Sequence, residues 1–84
     1  MIYCVKVKAS AAKALKKIAL KDRERLIVAI DALSTNPAAG GVLKGEFSGL
    51  RRLRVGDYRI VYEVNGEDLI VLVIRIGHRK GIYR

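Results

Sequence analysis

Residues 74–84 read IRIGHRKGIYR, and they gather the side chains best suited to chemistry. The only histidine, His78, sits there with Arg75, Arg79, Lys80, Arg84 and Tyr83. Arg51, Arg52, Arg54 and Arg59 precede them at short intervals, so that seven of the eight cations from residue 51 onward are arginine. A guanidinium is a planar fork that matches two phosphate oxygens at once. An imidazole ordinarily titrates near about pH 6.5 and so can move a proton. A tyrosine ring can stack on a nucleobase, a contact worth about 1–3 kcal/mol. Together these groups suit a phosphate-bearing polyanion. The plainer reading of the same residues is a charged tail that keeps a small domain in solution.

The whole chain leans the same way. Seventeen Lys and Arg against eight Asp and Glu give a net charge of +9 over 84 residues. Solubility alone is usually reached at about 2–8 charges. An excess of this size is the footprint of a partner such as nucleic acid, ribosome, acidic membrane or acidic protein. Arginine dominates the second half, whereas Lys13, Lys16, Lys17 and Lys21 fall in the first. General attraction from one half and directed phosphate contacts from the other would give that division. So would the preference of lysine for helix surfaces and of arginine for strands.

The length allows one domain, 1–84, which buries roughly 60–65% of its unfolded surface. Hydrophobic residues make up 51% of the chain, enough for one core. No run reaches the roughly 20 apolar residues that span a bilayer, and MIYCVKVKAS lacks the apolar stretch of a signal peptide. A cytoplasmic protein with no membrane contact is expected. The single cysteine, Cys4, excludes an internal disulfide and is expected to be a small core residue. One Cys and one His provide no zinc site from the usual ligands.

These groups need a scaffold. Residues 2–8, IYCVKVK, read as a strand. Ser10 is placed to cap a helix with Leu15, Ile18 and Ala19 on one face, and Asp22 to cap a second with Leu26, Ile27, Ile30 and Leu33 at helical spacing. TNPAAGG ends that helix. The period then becomes two: Leu53 and Val55 alternate with Arg52 and Arg54, and Tyr58, Ile60, Tyr62 and Val64 with Arg59, Val61 and Glu63. Gly56-Asp57 and Asn65-Gly66 mark turns. DLIVLVIRI is apolar on both faces up to Arg75, as a central strand would be. The fold class is therefore α+β in two layers: an N-terminal strand, then an antiparallel helical hairpin packed on a mainly antiparallel sheet. The hairpin covers one sheet face. Arg52, Arg54, Arg59 and Arg75 are expected on the other, together with apolar residues that a merely solvated face would not need. Tyr58 and Tyr62 are expected in the core.

LRVGDYRIVYEV followed by VIRIGHRKGIYR resembles the RelE family of toxins, the ribosome-dependent messenger-RNA endonucleases of toxin–antitoxin pairs. The resemblance runs along essentially the whole chain. The G-x-Y-R-(I/L)-(V/I)-Y hairpin is shared with ParE-type relatives that poison DNA gyrase; the tail G-H-R-x-x-I-Y points to the nuclease branch. The resemblance implies that Arg59 supports the transition-state phosphate, that Arg79 stands near the leaving oxygen, and that Tyr83 stacks on or orients the nucleotide. Arg52 and Arg54 fall where the type member carries lysines, and His78 where members carry His or Lys. Arg51 and Lys80 are further phosphate contacts. No cofactor and no metal are implied.

RNA cleavage of this kind needs the 2′-OH in line with phosphorus, stabilisation of the phosphorane charge, and proton transfer at both oxygens. Fixed arginines meet the second need, and orientation on the ribosome would contribute to the first. Arginine stays protonated to about pH 12, so Arg52 and Arg54 act as electrostatic clamps and not as bases. His78, Glu46 and Glu63 are the remaining proton-transfer candidates, Glu63 being also the expected ion-pair partner of Arg59. Two other readings stand beside the nuclease: a ParE-like inhibitor of gyrase, and a catalytically weak RNA- or ribosome-binding module. In each toxin reading the partner is a cognate antitoxin in a toxin–antitoxin hetero-oligomer. An acidic, partly helical segment that wraps the domain and orders on binding would suit the charge.

Overall fold

The computed structural model describes residues 2–43 and 49–78. Its elements are β1 (Cys4–Val7), α1 (Ala9–Lys16), α2 (Leu20–Ala32), β2 (Gly41–Val42), β3 (Leu50–Val55), β4 (Tyr58–Asn65) and β5 (Ile70–His78). The strands form one five-stranded sheet in the order β1-β5-β4-β3-β2. β2, β3, β4 and β5 pair antiparallel in succession, and β1 closes the sheet parallel to β5. The architecture is α+β: two helices on a mainly antiparallel sheet. The apolar run of β5 is explained by its place between β1 and β4. None of the described helices is long and apolar enough to cross a membrane.

The helices begin earlier than their polar residues suggest. Lys8 is the N-cap of α1 and Ala19 that of α2, both in extended conformation and neither with a side-chain cap bond. Ala12 N–H and Arg23 N–H donate to the carbonyls of Lys8 and Ala19, at 2.9 Å each. Ser10 and Asp22 therefore lie inside the first turns and are not caps. Beginning α1 at Ala9 puts the small, buried Ala11 at the helix–sheet contact. α1 stops at Lys16, so Ile18 and Ala19 belong to the connection, where Ile18 N–H donates to Leu15 O at 3.2 Å. Leu26, Ile30 and Leu33 form the buried stripe of α2, while Ile27 stays 42% exposed.

That stripe meets Ile60, Tyr62, Val71, Val73 and Ile76 from the sheet, with Leu53, Val55 and Tyr58 packed at the margin. Tyr62 is fully buried in the core and Tyr58 packs half-buried against it, on the side their parity requires. Cys4 is exposed on the edge strand, contrary to the expected burial. It shares the parity of Lys6, opposite Leu72 on the sheet face that the helices do not cover, whereas Val5 opposes the buried Val71.

The pairing of β4 with β5 is irregular at one point. Val61 opposes Arg75, Tyr62 opposes Val73, and Ile74 is passed over. This bulge inverts the parity of the strand. Strict alternation would place Arg75 on the core side after Val71 and Val73; the extra residue sends Ile76 inward and Arg75 to the uncovered face.

Candidate nucleic-acid interface

Cross-strand partners share a sheet face, so the register fixes what the uncovered side displays. One row runs from Arg54 to Arg59 to Gly77. The next runs from Arg52 to Val61 to Arg75. A third runs from Leu50 to Glu63 to Leu72 and on to Lys6 of β1. Arg54 and Arg59 thus face each other across neighbouring strands, and Arg52 and Arg75 stand on either side of Val61. Val61 is only 3% exposed although no helix lies over it. Long arginine stems beside an apolar side chain cover it. The result is an apolar strip set among four guanidinium groups. Glu63 is the one acidic residue on this face among the described strand residues, and Val61 separates it from Arg59. Its cross-strand neighbours are Leu50 and Leu72.

The register puts Arg51 and His78 on the other side. Arg51 pairs with the buried Tyr62 and donates from Nη1 to the carbonyl of Gly40 at 2.8 Å. His78 opposes Tyr58, their rings meeting edge to face with centroids 5.7 Å apart. The fold therefore gathers Arg52, Arg54, Arg59 and Arg75 and sets Arg51 and His78 apart from them. Arg79, Lys80, Tyr83 and Glu46 lie outside the described residues.

A support behind this face is not visible in any motif. The hydroxyl of Tyr62 donates to the carbonyl of Pro37 at 2.7 Å and accepts from the N–H of Gly40 at 2.9 Å. Gly40 lies so close to β3 that a Cβ there would sit 2.6 Å from the carbonyl oxygen of Arg52. Only glycine allows that approach. Tyr62, Gly40 and Arg51 thus tie the segment after α2 to the back of the strand that carries Arg52 and Arg54. Gly40-Gly41 in the sequence reads only as a helix breaker. The two-residue β2 carries no periodicity that would identify it.

Electrostatically, the uncovered face is a field of fixed positive charge over an apolar centre, which concentrates anions near it. A guanidinium fork can meet two oxygens of a phosphate or carboxylate at once. Among the described residues no group of three or more His, Cys, Asp or Glu is arranged to hold a metal ion.

Known proteins share this architecture. Residues 5–83 match the family described as ParE toxin of type II toxin-antitoxin system, parDE. The chain is 31% identical over 86 aligned positions to Toxin RelG of Mycobacterium tuberculosis, covering 100% of this chain and 99% of that protein. It is 32% identical to Toxin RelE of the same organism, over 98% of this chain and 87% of that one. Among solved structures, the toxin in the RelBE2 toxin–antitoxin complex of M. tuberculosis superposes with a TM-score of 0.84 at 28% identity, over 94% of this chain and all of that one. The toxin of the archaeal RelE–RelB complex of Pyrococcus horikoshii gives 0.79 at 31% identity, over 96% and 99%. With its strand, helical hairpin and arginine-bearing meander matched from end to end, the chain belongs to the RelE/ParE family of toxins of type II toxin–antitoxin systems.

Proposed function

We propose that this toxin is an endoribonuclease that cleaves messenger RNA on the ribosome, in the A site, and so arrests translation in the cytoplasm. The observation that carries the reading is the convergence of Arg52, Arg54, Arg59 and Arg75 on the uncovered sheet face. Four guanidinium forks on one face suit the closely spaced phosphates of a nucleic-acid strand. In this reading Arg59, at the centre of its row, stabilises the charge that builds on the phosphorane. Arg52 and Arg54 clamp the flanking phosphates. Arg79, from the tail, neutralises the leaving oxygen, Tyr83 stacks on the base, and Lys80 adds a phosphate contact. His78 stands at the end of β5, one residue before Arg79, and takes the proton-transfer role from the edge of the site. Arg51 contributes charge at the strand start while its tie to Gly40 holds the scaffold.

The partner is an antitoxin. Relatives with this fold are found in complexes with RelB antitoxins in M. tuberculosis and P. horikoshii. A net charge of +9 favours an acidic wrapping segment that neutralises the arginine face. Primer extension on messages from a translation extract tests the activity: cuts inside codons at stalled ribosomes are expected from the wild type and not from Arg79→Ala or Tyr83→Ala.

A second reading rests on the family match itself, which is to toxins of the parDE type. There the target is DNA gyrase. Double-strand breaks in a gyrase assay, with toxicity undiminished in an Arg59, Arg79, Tyr83 triple variant, would select it.

A further inference from the structure

Arg75 is the one arginine of the uncovered face without a role in the nuclease mechanism. It owes its place to the bulge in β5. Val61 opposes Arg75 and Tyr62 opposes Val73, so Ile74 is passed over. A bulge gives up a ladder position, and bulges gather next to active sites, where they re-aim a side chain. The core alone does not call for this one. An apolar residue at position 75 in an unbroken ladder would fill the space that Ile76 fills, with every pair kept. The chain instead carries an arginine between Ile74 and Ile76 and breaks the ladder beside it. Break and residue together set a guanidinium on the open face, which neither does alone.

We propose that Arg52 and Arg75 form a second phosphate seat over Val61, holding the phosphate next to the scissile one over Arg59. The seat rests on the nuclease reading for its ligand, an RNA strand. It places that strand and takes no part in the bond changes.

The neighbours of Arg75 define what it holds. Val61 stands between Arg75 and Arg52 in one row and is buried although no helix lies over it. The two stems that cover it approach from either side. Like charges brought together in this way repel, and an anion between them relieves the repulsion. A phosphate has oxygens for both forks. The rows to either side differ from this one. In the first, Arg54 opposes Arg59, two residues away along β4. Two residues of strand span about 6–7 Å, a step that consecutive phosphates of one strand can match. In the row beyond, Glu63 stands between Leu50 and Leu72. A carboxylate flanked by leucines turns a phosphate away. The face therefore takes phosphates in two adjacent rows and closes after the second.

The test is binding of a single-stranded 2′-O-methyl RNA of about four nucleotides, the short end of known single-strand sites, read by nuclear magnetic resonance titration. Its blocked 2′ oxygens prevent cutting. Each linkage in turn is replaced by a neutral methylphosphonate. Wild type is compared with Arg52→Gln, Arg75→Gln and Arg59→Gln, glutamine keeping part of the stem. Arg52→Gln and Arg75→Gln are each expected to weaken binding of the unmodified strand about tenfold, as loss of one charged hydrogen-bonding group does. Because they share a phosphate, the double variant should lose clearly less than the roughly hundredfold product, whereas Arg59→Gln with Arg75→Gln should reach it. One neutral linkage should weaken the wild type and leave both Arg52→Gln and Arg75→Gln unaffected. The linkage coupled in the same way to Arg59 should be its neighbour. Full additivity of Arg52→Gln and Arg75→Gln, neutral linkages that affect every variant alike, or no binding by the wild type overturns the seat. So does an Arg75→Gln variant that loses the antitoxin and keeps the RNA. Coupling at adjacent linkages in a wild type that cuts no message would sink the nuclease reading and leave the seat standing, and cutting without coupling would do the opposite.

Discussion

Replacing Tyr62 by Phe removes one oxygen atom from the back of the arginine-bearing sheet. The ring is fully buried, and its hydroxyl joins the carbonyl of Pro37 to the N–H of Gly40. Phe keeps the packing and leaves the N–H of Gly40, itself buried, with no acceptor. An unsatisfied buried donor costs about 1–3 kcal/mol, and the lost bond at the partly exposed Pro37 adds less, so about 2–3 kcal/mol in all is expected. For a domain of this size each kcal/mol lowers Tm by about 4–8 °C, so the midpoint should fall by roughly 10–20 °C. Thermal unfolding followed by circular dichroism measures it. Gly40→Ala presses a methyl against the Arg52 carbonyl and the Tyr62 hydroxyl, at 2.6 and 2.9 Å. Combined with Tyr62→Phe, which removes one of those contacts, it should destabilise by less than the sum of the single variants. Below its transition Tyr62→Phe should bind RNA as the wild type does, because the tie lies behind β3. A Tm within about 2 °C of wild type would refute the reasoning, since no buried N–H would then have lost its partner.

Three further outcomes follow from other parts of the structure. Leu33→Ala, at a fully buried position of α2, should cost about 2–5 kcal/mol and leave the domain largely unfolded near body temperature, measured by urea titration. Arg52→Ala and Arg54→Ala should each reduce the salt slope of single-stranded RNA binding by about 0.7, without changing thermal stability by more than about 1 kcal/mol. Ile27→Ser with Val28→Ser, on the exposed side of α2, should leave RNA binding unchanged and raise the Kd for the antitoxin at least roughly tenfold, as loss of apolar anchors would, read by calorimetry.

The sequence carried most of the layout. Alternation from Tyr58 to Val64 fixed which side of β4 enters the core, and the unbroken apolar run of 69–74 marked a strand with neighbours on both sides. Four elements were not legible there. Ser10 and Asp22 have the right chemistry for caps, but β1 passes into α1 at Lys8 and packing of Ala11 against the sheet sets where the helix begins. Asn65-Gly66 signals a hairpin, yet the turn takes four residues, with Asn65 Oδ1 accepting from Glu67 N–H and Asp68 N–H and with Leu69 at φ 54°. β2 is too short to show a pattern. The bulge at Ile74 leaves no local mark at all, because Ile74, Arg75 and Ile76 fit either parity. Only pairing with β4 decides that Arg75 faces outward.

The same holds for the candidate site. Arginine content and spacing pointed to phosphate, and the register gathers Arg52, Arg54, Arg59 and Arg75 on one face. What residue type did not show is sidedness. Arg51 differs from Arg52 by one position, and that one position turns it to the opposite face, where Gly40 receives its Nη1–H. His78 likewise follows the parity of β5 toward Tyr58.

The central claim is that the arginine face performs RNA cleavage, and Arg59 is its centre. Cleavage of message by purified wild type and Arg59→Ala, in a translation extract resolved by primer extension, measures it most directly. Loss of one preorganised charge donor should slow cutting by about 10²–10³-fold while the variant remains folded. Equal cutting by the two proteins, or arrest of growth through gyrase-dependent DNA breaks with the message intact, would contradict the account.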